Sequence, residues 1–358
     1  MSGRRGRFMM LAPLCAAALL ASAMPAVGAV AGAQGQPTDS LSSVARAELA
    51  QKFQRQLMRI ASEVDGVLTL TVMDLTNGER FRVNDTVPMP QGSAIKIPIL
   101  IELFRQAEAG TVSLDTRVAL TAADQVGGTG VAQYFSAGQS QLSLRDLATL
   151  MIVLSDNTAT NVLIGRLGME QVTATMRRMG LPGIRLQRLM IRPNASAAGR
   201  ENIATAAQAA SLMQQLHRCT LPVSAASCAE IRRILEIPKD GEFPSSVPSS
   251  VRVAWKPGTV DGVATSWGLF ALAGRPYVVT AMVSYSTEAQ ASKALRDVAD
   301  AAYAYFFRLA RASAYGVRVP AAFADSLRVP ASMASPATPS VTPPATPSAV
   351  PPRRPPSL

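Results

Sequence analysis

The 358-residue chain is 48% hydrophobic and 16% charged, with 35 lysines and arginines against 24 acidic residues and a formal net charge of +11. That apolar content is enough for a large core and excludes a chain disordered throughout. Nor is the positive charge a nucleic-acid signal. Arg4, Arg5, Arg7, Arg353 and Arg354 lie at the two ends, and the other basic residues are scattered without a basic–aromatic cluster. A mild positive field suits anionic substrates or an anionic envelope surface.

In chain order, the three N-terminal arginines precede the apolar run FMMLAPLCAAALLASAM, and small-residue cleavage sites follow at Ala21-Ser22-Ala23 and Ala31-Gly32-Ala33. This pattern predicts a secretory signal peptide over residues 1–33 and an exported protein, periplasmic or secreted. The Arg4-Arg5 pair permits a twin-arginine route. Pro13, Pro25 and the alanine content argue against an uncleaved anchor, and Leu14 is too large for lipoprotein cleavage before Cys15.

A serine-capped helical pattern then begins at SLSSVARAELAQKFQRQLMRIASEV. GVLTLTVMDL and ERFRVN predict two strands joined at Thr76-Asn77-Gly78. PQGSAIKIPIL follows, continuing as a helix, and residues 143 to about 235 are mostly helical in pattern. Strands return at VRVAWKPGT, TSWGLFALAG and PYVVTAMVSYS, and a helix from Glu288 to about Arg311 closes the region. Residues 329–358, almost entirely Pro, Ala, Ser and Thr, predict a disordered tail. The expectation is one folded region, residues 40–316, of α+β class: an antiparallel sheet flanked by helices plus an all-helical lobe, with a site in the cleft between them.

Without Cys15, Cys219 and Cys228 remain, bracketing TLPVSAAS. In an oxidising compartment a local disulfide is expected. The alternative is two buried free thiols. His217 is the only histidine, reads as structural, and leaves no metal site. No cofactor is expected, and a monomer is.

Three short patterns carry chemistry. Ser93-Ala94-Ile95-Lys96 is S-x-x-K, which on a helix puts Ser93 and Lys96 on one face. A serine hydroxyl needs a base, and lysine serves if burial depresses its pKa. The bland alternative is a lysine that snorkels outward. Ser155-Asp156-Asn157 reads alone as a helix cap, and Lys256-Pro257-Gly258-Thr259 as a strand ending in a turn. Taken in this order they form a constellation.

With these motifs the sequence resembles the class A β-lactamase and penicillin-binding-protein superfamily of serine hydrolases over about residues 42–310. The resemblance implies that Ser93 is the acylated nucleophile and Lys96 its proton acceptor. It implies that Ser155 relays a proton to the leaving nitrogen and that Lys256 supplies positive potential to a substrate carboxylate. Asn157 would contact the substrate's side-chain amide. Gly258 and Thr259 would line the substrate site, with the N–H groups of Ser93 and Thr259 as the oxyanion hole.

Departures are equally plain. The loop RLQRLMIRPN keeps Arg185, Arg188 and Asn194, but the family's deacylation glutamate falls on Met190. The nearest carboxylate, Glu201, has two readings, a loop brace or a displaced base. Pro257 replaces a hydroxyl residue, and Ser266 and Trp267 fall where the family places a strand arginine. Gly127, Gly128 and Gly130 suggest a flexible rim. Three functions follow: a β-lactam hydrolase with slow deacylation, a D-alanyl peptidase or esterase on envelope substrates, or a non-catalytic module binding peptidoglycan or a protein. The five motif residues Ser93, Lys96, Ser155, Asn157 and Lys256 weigh against the third, and the family resemblance favours the first.

Overall fold

Ser42 opens helix α1 (Ser43–Glu63) by accepting a hydrogen bond from Ala45 N at 3.2 Å. In this computed structural model the described residues are 41–318, so the predicted signal peptide and the C-terminal tail lie outside them. α1 buries Phe53, Leu57 and Ile60 against the C-terminal helix α8 (Glu288–Ala310), where Phe53 stacks on Tyr305 with ring centroids 4.3 Å apart.

These two helices cover one face of a five-stranded antiparallel sheet. Its strands are β1 (Val67–Asp74), β2 (Arg80–Val83), β3 (Val253–Val260), β4 (Val263–Phe270) and β5 (Tyr277–Ser284), in spatial order β2-β1-β5-β4-β3. Strands from both ends of the sequence thus meet in the sheet's centre, at β1 and β5. Every residue of β4 and β5 is buried. Along β5 the alternation assigns Val279, Ala281 and Val283 to the core under α1 and α8, whereas Val278 and Met282 join the core of the helical lobe.

That lobe contains α2 (Lys96–Glu108), α3 (Leu144–Val153), α4 (Asn157–Leu167), α5 (Met169–Arg178), α6 (Ala206–Arg218) and α7 (Ala225–Glu236). Two local expectations need correction. Ser93 is not on an α-helix but on a 3₁₀ turn, Gly92–Ile95, which leads into α2 at Lys96. The helical run through Leu154-Ser155-Asp156 is broken. Ser155 takes a left-handed φ of +53°, and Asp156 caps α4 by accepting from Ala159 N at 2.9 Å.

Cys219 and Cys228 are disulfide-bonded, with an S–S distance of 2.08 Å and Cα atoms 5.7 Å apart. Cys219 ends α6 in a left-handed conformation, and Cys228 is buried within α7, so the segment between them is a loop only as far as Ser224. His217 lies in the last turn of α6; its pKa is lowered by burial and by Arg232 and Arg218. Among the described residues, no helix is long and apolar enough to cross a membrane.

Candidate active site

Lys96 begins α2 with its side chain fully enclosed, at 0% exposure. Its Nζ donates to Ser155 O at 2.7 Å, Ser155 Oγ at 3.1 Å and Asn157 Oδ1 at 3.0 Å. From the other side Lys256, 1% exposed on β3, donates to the same Ser155 Oγ at 3.1 Å and to Pro257 O at 3.1 Å. One hydroxyl therefore stands between two buried amines. The break at Ser155 makes this possible, because its left-handed backbone turns both carbonyl and hydroxyl toward Lys96.

Burial pulls the Lys96 pKa down to about 7, against the opposing pull of Asp156. Lys256 is pushed well below the ordinary lysine value by burial, then by the positive charges of Lys96 and Lys239. Two ammonium groups that share one hydroxyl in a dry site disfavour each other's protonation. None of the hydrogen bonds of Lys96 runs to half-buried Ser93.

Two glycines bring β3 onto the serine turn. A Cβ at Gly258 would lie 2.6 Å from Ser93 N, and one at Gly92, whose φ is +47°, would lie 2.7 Å from Thr259 N. No side chain fits at either position, and the backbones carrying the Ser93 and Thr259 amides come into direct contact. Thr259 itself is exposed at the cleft.

Sequence reasoning missed the anchor beneath this turn. Buried Gln91 accepts from Trp267 Nε1 at 2.9 Å through its side chain and from Thr265 Oγ1 at 3.0 Å through its carbonyl, and it donates to Met89 O at 2.7 Å. Trp267 supports the turn and Ser266 is buried, so neither stands in for the absent arginine at the cleft.

Asp156 was visible only as a cap, yet it ties down the glycine-rich segment as well. Its Oδ2 accepts from Val131 N at 2.7 Å and Ala132 N at 2.8 Å. A Cβ at Gly130 would meet that carboxylate at 2.3 Å, and one at Gly128 would meet Asn157 Nδ2 at 2.7 Å. The rim is closely packed on these two side chains, contrary to the flexibility that its glycines suggest. Asn157 donates through Nδ2 to Gly127 O at 3.2 Å.

Opposite lies the loop of residues 185–202. Met190 N donates to Asn161 Oδ1 at 2.8 Å, Asn161 Nδ2 donates to Met190 O at 3.2 Å, and the Met190 side chain is 5% exposed. Glu201 pairs with Arg188 at 2.8 Å and also accepts from the Ser196 hydroxyl. Asn202 Oδ1 accepts from Gln187 N at 2.8 Å and Arg188 N at 3.0 Å. Glu201 is engaged as a brace of the loop, and Asn194 is exposed on the short helix Pro193–Ala197. Among the described residues, no three His, Cys, Asp or Glu side chains group as metal ligands.

Comparison with known proteins agrees with this geometry. The model of the beta-lactamase enzyme family matches residues 51–306. Beta-lactamase L2 of Stenotrophomonas maltophilia is 30% identical over 213 residues, covering 59% of this chain and 67% of the relative. A beta-lactamase of Rhodobacter capsulatus is 29% identical over 174 residues, 47% of this chain and 59% of the relative. Among solved structures, a beta-lactamase from Sphaerobacter thermophilus superposes with a TM-score of 0.65 at 28% identity, covering 71% of this chain and 96% of that one. A variant of PBP-A, in an acyl-enzyme complex with penicillin-G, gives 0.64 at 25% identity over 73% and 97%. With the family model spanning most of the chain, the chain belongs to the beta-lactamase family of serine hydrolases.

Proposed function

We propose that this protein opens β-lactam amides by acylating Ser93 and releases the acyl group slowly. The observation that carries the reading is the Ser155 hydroxyl held 3.1 Å from each of two buried lysines beside the serine turn. With a pKa of about 7, Lys96 is substantially neutral at neutral pH and able to take the Ser93 proton as Oγ attacks the lactam carbonyl. The developing oxyanion is received by the Ser93 and Thr259 N–H groups. As the C–N bond breaks, the proton passes from Lys96 through Ser155 Oγ to the leaving nitrogen, which returns Lys96 to its neutral form.

Lys256 acts through charge. Burial and the neighbouring lysines disfavour its protonation, and a substrate carboxylate near Thr259 would supply the counter-charge. The reading thus calls for an anionic small molecule. The N-terminal segment adds export to the periplasm or medium as part of the proposal.

Hydrolysis of the acyl-enzyme needs an activated water. Met190 carries no basic lone pair, and Glu201 is occupied by Arg188 and Ser196. Buried Met190 also favours a second reading. In it the acyl group comes from an envelope acyl-D-Ala substrate, and an amine accepts it in place of water.

The purified protein incubated with a chromogenic cephalosporin, with intact mass followed over time, tests both. A product burst equal to the enzyme, then slow turnover and an adduct on Ser93, is expected. Neither adduct nor turnover would sink the proposal. Release accelerated by an added D-amino acid beyond the hydrolytic rate would move it to the second reading.

A further inference from the structure

We propose that Ile191 is a specificity-determining residue, closing the acyl side of the cleft to bulky acylamino substituents and admitting substrates whose substituent is small or absent. The inference rests on the acyl-enzyme reading above. Among the described non-glycine residues with positive φ (Asn84, Ser155, Ile191, Cys219 and Tyr285), Ile191 alone is β-branched, at φ +53°. A β-branched side chain in the left-handed region is a true outlier, which persists only where its surroundings over-determine it.

Here they do. The reciprocal Met190–Asn161 hydrogen bonds fix the preceding residue, and Asn202 and the Arg188–Glu201 pair hold the arms of the loop.

The strained backbone displays the Ile191 side chain at the surface, 46% exposed, against the glycine-rich rim. A Cβ built at Gly128 would stand 3.2 Å from Ile191 Cδ1 and 2.7 Å from Asn157 Nδ2. Ile191, Gly128 and Asn157 thus form one layered contact across the acyl side of the cleft. The amide that would bind a substrate's acylamino carbonyl, Asn157 Nδ2, already donates to Gly127 O at 3.2 Å. That leaves the second Nδ2 hydrogen for a substrate, but a large acylamino substituent must wedge between Ile191 and Gly128 to reach it, whereas a bare lactam nucleus need not.

Acylation of Ser93 by two probes, the penicillin nucleus with a free 6-amino group and its phenylacetyl amide, followed by intact mass, tests this. The wild type should react faster with the bare nucleus. Ile191→Gly accepts φ +53° without strain and should fold normally. It should raise the second-order rate for the phenylacetyl amide on the order of tenfold or more, and move the bare nucleus by less than about twofold. Ile191→Val should keep the wild-type preference. Equal acceleration of both probes, no change for either, or a wild type that prefers the larger probe would overturn the assignment. Failure of both probes to label Ser93 in any variant would overturn the acyl-enzyme reading itself, and the assignment with it.

Discussion

Where Lys96, Ser155 and Lys256 meet, the chain places two lysines out of water with no carboxylate bonded to either, satisfied by hydroxyl, carbonyl and amide oxygens. In the loop of residues 185–202, the one carboxylate is committed to Arg188 and Ser196, and Met190 is buried in the core of the helical lobe. The contrast lies in what each region does with charge. The motif side buries its cations, and burial lowers the pKa values of both lysines, that of Lys96 against the opposing pull of Asp156. The loop side commits its single carboxylate, Glu201, to Arg188 and Ser196, which braces the loop. The proposed function, an ester formed faster than it is removed, turns on this difference.

The largest expected effect breaks the motif side. Lys96→Arg keeps a cation that cannot be deprotonated near neutral pH, so acylation of Ser93 by a fluorescent penicillin should fall roughly 10²–10⁴-fold. Unaltered labelling would mean that Lys96 is structural. In the wild type, acylation should climb as pH rises through about 7, where Lys96 changes from ammonium to free base. Stability carries the same sign. The folded pKa lies below the ordinary 10.5, so the unfolded chain binds more protons between those values, and stability should rise with pH across that window. Urea unfolding at pH 6.5 and pH 9 reads this slope, and Lys96→Met should reduce it, leaving the contribution of Lys256, whose pKa is lowered in the same direction.

Adding a base to the loop side sharpens the comparison. Met190→Glu should speed the slow phase by about tenfold to a hundredfold while leaving the burst rate nearly unchanged. A burst that changes as much as the slow phase would show that the two regions are not separable.

The disulfide serves as a control outside both regions. Cys219→Ala with Cys228→Ala should cost about 2–3 kcal/mol of stability in the chain-entropy model, measured by denaturant unfolding, and leave the burst per folded molecule intact. Smallest of all, Glu201→Gln should alter the slow phase by less than about twofold, since a carboxylate held by Arg188 is not the base. A pronounced loss of turnover would reassign it.

The sequence by itself determined the elements and the order of the motifs. The hairpin, the late strands and the closing helix follow from local periodicity and turn chemistry, and the two remaining cysteines pair as their count and compartment suggest. Tertiary structure alone decided how these pieces meet. No local pattern says that Asp156 reaches Val131 and Ala132, 25 and 24 residues away, or that Trp267 holds Gln91 across 176 residues. The same is true of the helix break at Ser155 and the left-handed Ile191, each over-determined by partners distant in sequence. Propensity and spacing act over a few residues. The geometry of the cleft is set by buried polar groups that must find partners wherever the packed chain supplies them.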